Sequence, residues 1–330
     1  MENVHRPRQP RAREREPERR RADESHGGTV RWQMVSPGPG DDDLGSEKLT
    51  HGVCVLGMHR SGTSLVAGVL RQLGVDLGPD EEFLPPDPNN QSGYFELTEL
   101  VEISDEILAH HGGTWDELPE LPPGWERSDQ LAQIRDRARG LLGRRFATSP
   151  QWAWKDPRTC ITLPFWQRLV SGLRYVICVR NPVDIAHSLR YREGEERPLE
   201  EHVLDWLRHT ASALVHTADR PRILVHYERF FEDAEHEVRR LADFLGREDR
   251  LEEPDTMRRI SEFIDPALAH ARSASRAIAD HPAVPFDAAA LYLALELAAD
   301  LEAGAGTGAQ EAWASINALA RRCLPQSPQA

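Results

Sequence analysis

The feature that most constrains this chain is how its first apolar run ends. Val53-Cys54-Val55-Leu56-Gly57 leads without a break into Met58-His59-Arg60-Ser61-Gly62-Thr63-Ser64, and apolar residues then recur at 65, 66, 69, 70 and 73. The first run has the length and branching of a buried strand, and the last has the period of an amphipathic helix. Such a turn leaves the N–H groups of the helix start without an intrahelical acceptor, so with its glycines and hydroxyls it forms a cradle for an anion. Gly57 and Gly62 keep the spacing of the nucleotide-triphosphatase loop, but Thr63 stands where that loop requires Lys.

Further strand-like runs follow around 151–154, at 174–179 (RYVICV) and at 222–227 (RILVHY). Between and after them, helical periodicity is predicted over 97–110, 128–145, 182–190, 200–217 and 234–245, with Ala-rich terminal helices at 287–303 and 309–322. Alternation of this kind predicts an α/β fold, a P-loop-like parallel sheet with helices on both faces. Residues 1 to about 50 mix Arg, Glu, Pro and Gly with hardly any apolar side chains, and they read as a disordered tail ahead of one domain over 51–330.

The third strand delivers Arg180 at its C-terminal end, where ligands of open parallel sheets bind. Asn181 is placed as an N-cap, Pro182 at the first helical position, and Ser188 two turns on. These two segments together resemble the sulfotransferases that use 3′-phosphoadenosine 5′-phosphosulfate (PAPS). The phosphosulfate loop of that family, usually Pro-Lys-Ser-Gly-Thr-Thr, is matched by His59-Arg60-Ser61-Gly62-Thr63-Ser64, with Arg60 in place of Lys as in the tyrosylprotein sulfotransferases. The family's 3′-phosphate motif, an Arg at a strand end and a Ser eight residues later, is matched by Arg180 and Ser188. Tyr227 corresponds to a Tyr that approaches the adenine, and the resemblance runs over roughly residues 52 to 275. The family's late Arg-Lys-Gly motif lacks a clear counterpart, although Arg272 and Arg276 lie at a suitable distance along the chain.

The resemblance implies transfer of a sulfuryl group from PAPS to a hydroxyl or amine of a small-molecule, carbohydrate or lipid acceptor, giving adenosine 3′,5′-bisphosphate. It implies that Arg60, Ser61, Gly62, Thr63, Ser64, Arg180, Ser188 and Tyr227 hold the donor. By analogy with phosphoryl transfer, the displacement is in-line and the work is electrostatic. Lys155 is one of two lysines in the chain and ends a predicted strand, which makes it a candidate for contact with the transferring group. In Asn90-Gln91-Ser92-Gly93-Tyr94-Phe95-Glu96, which resembles a stretch of bacterial members, Glu96 is the first candidate for the base that takes the acceptor's proton, with Asp116, His59 and His111 in reserve. Trp115, Trp125, Phe83, Tyr94 and Trp166 are available to wall an acceptor cleft or to pack the core.

Two other functions remain open at this stage: a P-loop-type nucleotide kinase, and a catalytically inactive nucleotide-binding protein. Composition narrows the rest. Asp and Glu number 54 against 40 Lys and Arg, a net charge of −14 that argues against a nucleic-acid partner. Cys54, Cys160, Cys178 and Cys323 are widely spaced and read as free thiols of a reducing cytoplasm. Neither a CxxC nor an HExxH pattern occurs, so no metal is expected, and no apolar run of membrane-spanning length is present.

Overall fold

The computed structural model describes residues 49, 52–86, 93–194, 196–264, 275–303 and 308–324. The predicted tail, apart from Leu49, lies outside the described residues, as do Asn90, Gln91, Ser92 and Arg272 and the side chain of Arg276.

Four parallel strands form the described sheet: β1 Gly52–Leu56, β2 Trp152–Lys155, β3 Arg174–Val179 and β4 Arg222–His226, in the order β2-β1-β3-β4. The register sets Val55 opposite both Lys155 and Val176. Because successive side chains point to opposite faces, Val53, Val55, Val176, Cys178, Ile223 and Val225 enter one core and Cys54, Leu56, Tyr175, Ile177, Val179 and Leu224 enter the other. Burial on both faces explains why these strands read as continuous apolar runs.

The first core is closed by α1 Thr63–Gln72, α8 Ala234–Leu245 and α10 Thr256–Phe263. In α1, Gly68 permits the closest helix contact: a Cβ there would lie 2.1 Å from Cζ of Phe263. That ring also meets Phe95 edge-on at 6.3 Å, and Phe95 meets Phe83 at 5.9 Å. The second core is closed by α2 Thr98–His110, α3 Ala132–Phe146, α4 Thr159–Gln167, α5 Pro182–Glu193, α6 Leu199–His216, α11 Phe286–Ala303 and α12 Gly308–Cys323. Trp152 stacks on Phe146 at 4.4 Å and on Trp154 at 5.6 Å. Trp166 and Trp125 also belong to this core, so they are packing residues. The short helices α7 Arg229–Glu232 and α9 Glu248–Leu251 lie between the longer ones in sequence.

With β2 on one side of β1 and β3 on the other, the chain reverses its direction of travel across the sheet at the β1/β3 pair. The crevice beyond the C-terminal ends of those two strands is where an open α/β sheet holds its ligand. Residues 57–62 follow β1 there, and Arg180 follows β3.

Candidate active site

The loop after β1 is bounded by Gly57 at φ +148° and Gly62 at φ +88°. Gly62 has no room for a side chain, since a Cβ would stand 2.5 Å from Cδ2 of Tyr227. Arg60, between them, is itself left-handed at φ +69°, which costs a non-glycine residue about 1–3 kcal/mol and persists only where neighbours enforce it. Two bonds do so. Arg180 donates from its guanidinium to the Arg60 carbonyl at 3.0 Å, and Arg60 Nε donates to Ser188 Oγ at 2.8 Å.

Around this junction the polar groups are poised for an anion. Val66 N–H bonds to the Gly62 carbonyl at 3.1 Å, so the amides between them precede the helical ladder and face the loop. Ser61 Oγ is buried and has no hydrogen-bond partner among the described residues. Burial, then the charges of Arg192 and Arg180, pull the Arg60 guanidinium below its ordinary pKa, a repulsion that a bound anion would relieve. The guanidinium of Arg180 lies over the Tyr227 ring at 4.4 Å. Behind Arg180, the Asn181 side chain caps α5 by accepting from Val183 N–H at 2.9 Å.

Beside the loop opens a cavity of about 290 Å³ lined by His59, Leu84, Pro85, Tyr94, Glu96, Trp115, Arg158 and Arg192. Its buried wall is an ionic cluster. Lys155, at the end of β2, pairs with Glu96 and donates to Ser64 Oγ at 3.2 Å, which ties it to the start of α1. Arg158 lies 3.7 Å from Glu96, 3.0 Å from Asp156 and 2.5 Å from Asp105. Burial raises the Glu96 carboxyl above its ordinary pKa while Lys155 draws it back. Protonating Glu96 would leave the Lys155 ammonium buried without its counter-ion, the kind of break that costs about 3–5 kcal/mol.

A family model described as the sulfotransferase family matches residues 52–251, which span β1 to α9 and include every residue named at the loop and the cavity. The chain belongs to the sulfotransferase family. It is an enzyme, and its chemistry is sulfuryl transfer. Among solved structures, this sulfotransferase is similar to the sulfotransferase domain of the Synechococcus PCC 7002 olefin synthase, at 18% identity and TM-score 0.38 over 71% of this chain and 90% of that one. It is also similar to sulfotransferase STF9 from Mycobacterium avium, at 14% identity and TM-score 0.40 over 68% and 69%. A third similar structure is retinol dehydratase in complex with androsterone and the inactive cofactor PAP, at 17% identity and TM-score 0.34 over 65% and 64%. No curated protein matches the chain.

In the sulfotransferase the residues predicted for donor binding converge as a group: Arg60, Arg180, Ser188 and Tyr227 are joined by direct contacts, and Gly62 abuts Tyr227. Lys155 and Glu96, also predicted, meet one another. The neighbour of Lys155 in sequence, Asp156, pairs instead with Arg158. Of the reserve bases, His59 lines the cavity. Asp116 accepts from Thr114 Oγ1 at 2.7 Å in an exposed loop, and His111 packs on Trp125 at 5.4 Å; neither lines the cavity. Of the aromatic candidates, Trp115 and Tyr94 line it, whereas Phe83 is half-buried against both cores.

Sequence reasoning missed Arg158 and Arg192. Arg192 had a signal, because it follows Ser188 by four residues and so shares its face of α5. Among the described residues no helix is long and apolar enough to cross a membrane, and no group of three or more His, Cys, Asp or Glu is arranged to hold a metal ion.

Proposed function

We propose that residues 51–330 form one sulfotransferase domain whose donor is PAPS and whose acceptor is a hydroxyl or amine of a small molecule, carbohydrate or lipid. The observation that carries this reading is the left-handed Arg60, locked by Arg180 and Ser188 into a single cationic cradle beside a cavity of acceptor size. Arg180 and Ser188 hold the 3′-phosphate and the adenine rests near Tyr227. Ser61, Gly62, Thr63 and Ser64 offer amides and hydroxyls to the 5′-phosphosulfate. Arg60 and Lys155 stabilise the charge that develops on the transferring group and the leaving phosphate oxygen. The cavity presents two groups for the acceptor's proton, Glu96 and His59. Three buried free cysteines, Cys54, Cys160 and Cys178, support a reducing, cytoplasmic setting.

Calorimetric titration with PAP tests the donor assignment. Submicromolar to micromolar binding that is unaffected by Mg²⁺ is expected, whereas tighter binding of Mg·ATP than of PAP would return the protein to the kinase reading. Incubation with ³⁵S-labelled PAPS and a panel of phenols, sugars and lipid alcohols then identifies the acceptor class.

A further inference from the structure

We infer that His59 is the group that takes the acceptor's proton, and that Glu96 serves to hold Lys155 in place. The inference rests on the sulfotransferase reading of the site. His59 immediately precedes Arg60, so one turn of chain carries both the imidazole and the guanidinium that serves the transferring group. The imidazole packs against Trp115 with ring centroids 4.5 Å apart and planes tilted at 52°, and the guanidinium of Arg192 covers the same indole at 5.3 Å. All three side chains line the cavity.

The contact with Trp115 leaves one ring nitrogen unspent, since Nε2 of His59 is buried with no hydrogen-bond partner among the described residues. A buried polar atom left unbonded is costly, and an acceptor hydroxyl entering the cavity would supply the missing partner. The other basic group on the wall is differently placed, for Glu96 is bound to Lys155 and lies beside Arg158. A proton on Glu96 dismantles that cluster, whereas a proton on His59 breaks no bond.

The charges around the imidazole keep it neutral in the unliganded protein. Burial, followed by Arg158, His209, Arg192 and Lys155, holds His59 well below the usual histidine range, so the ring is neutral at pH 7 and keeps a lone pair to offer. Phosphates seated against Arg60 offset those cations, and the imidazolium then becomes easier to form. In the transfer the acceptor oxygen bonds to sulfur, the bond from sulfur to the 5′-phosphate oxygen breaks with its electron pair passing to that oxygen, and the acceptor's proton moves to the His59 imidazole.

The test uses the full chain. The His59 ring protons, assigned with His59→Gln, are titrated by NMR with and without saturating PAP. PAP is expected to raise the His59 pKa by about one unit or more, and an unmoved pKa overturns the inference. On whichever acceptor the panel identifies, His59→Ala should lower kcat by roughly 10²–10⁴-fold with PAP affinity retained, and added imidazole should restore part of the rate. Retention of kcat in both His59→Ala and His59→Gln, or loss of the acidic limb of the pH profile in Glu96→Gln but not in His59→Gln, overturns it. Failure of the unmodified protein to bind PAP would instead sink the sulfotransferase donor assignment, so the two failures are distinguishable.

Discussion

The guanidinium of Arg180 donates to the carbonyl oxygen of Arg60 at 3.0 Å, across 120 positions of sequence. The residue that follows β3 thus holds in place the strained residue of the loop that follows β1. Under the proposed donor assignment, donor affinity and loop conformation are coupled through one side chain.

Arg180→Ala should weaken PAP and PAPS alike, because the 3′-phosphate is common to both. The loss expected for an unpaired buried charge is about 2–4 kcal/mol, and calorimetry with PAP measures it. The melting temperature should fall as well, since Arg60 loses a bond that restrains its backbone. Unchanged affinity for PAP would falsify the 3′-phosphate assignment.

Arg60→Gly separates backbone from charge. Glycine adopts φ +69° without penalty, so stability should be retained or raised, while turnover should drop by roughly 10²–10³-fold through loss of leaving-group stabilisation. Normal turnover with only a raised KM for PAPS would reduce Arg60 to a binding residue.

Gly62→Ala should abolish donor binding, because its Cβ enters the Tyr227 ring at 2.5 Å. Adding Tyr227→Ala should recover stability, read as melting temperature, without recovering full affinity, since the adenine neighbour is gone. If Gly62→Ala alone binds PAP normally, the loop is more yielding than its close packing implies.

Of the fold, most was legible in the sequence. The bounds of β3 and α8 coincide with the predicted segments, because each is a clean run closed by residues that stop it: Arg180-Asn181-Pro182 after the strand and Gly246 after the helix. Helix α4 was missed. Its residues are buried almost all round and it contains Pro164, so it shows neither an amphipathic period nor a permitted interior composition. The loop after β1 and the Arg180–Ser188 pair, both proposed for the donor, were legible because their spacing is local. The partnership of Lys155 with Glu96 was not, since the two lie 59 positions apart and no local pattern pairs them.

His209 gives a pH prediction. Burial pushes its imidazole down to about 4, and its ring donates to the Asp205 carbonyl at 2.8 Å. A histidine with a lowered folded pKa binds its proton more readily in the unfolded chain, so stability is full above about pH 6.5 and declines as pH falls toward 4. His209→Gln should flatten that decline by up to about 3 kcal/mol in urea unfolding measured across the window. An unaltered slope would show that other groups, His59 among them, carry it.

Lys155→Met should be more harmful than the paired change Lys155→Met with Glu96→Gln, because the single variant leaves a buried carboxylate unpaired at a cost of about 3–5 kcal/mol. Melting temperatures of the two variants decide the point. Equal losses would mean that Arg158 alone suffices as the counter-ion of Glu96.

The contact of Phe263 with Gly68 and Phe95 bears on where this protein can be cut. Helix α10 lies beyond residue 251, where the family match stops, yet one of its rings presses on the helix that begins at the donor loop and on the residue next to Glu96. A polypeptide ended at the family boundary keeps every residue assigned to the chemistry, and it also exposes the apolar groove over Gly68 and frees Phe95 to swing. The packing that steadies the loop thus reaches past the family match, and a shortened protein that expresses poorly or turns over slowly would be reporting a missing buttress rather than a missing catalyst.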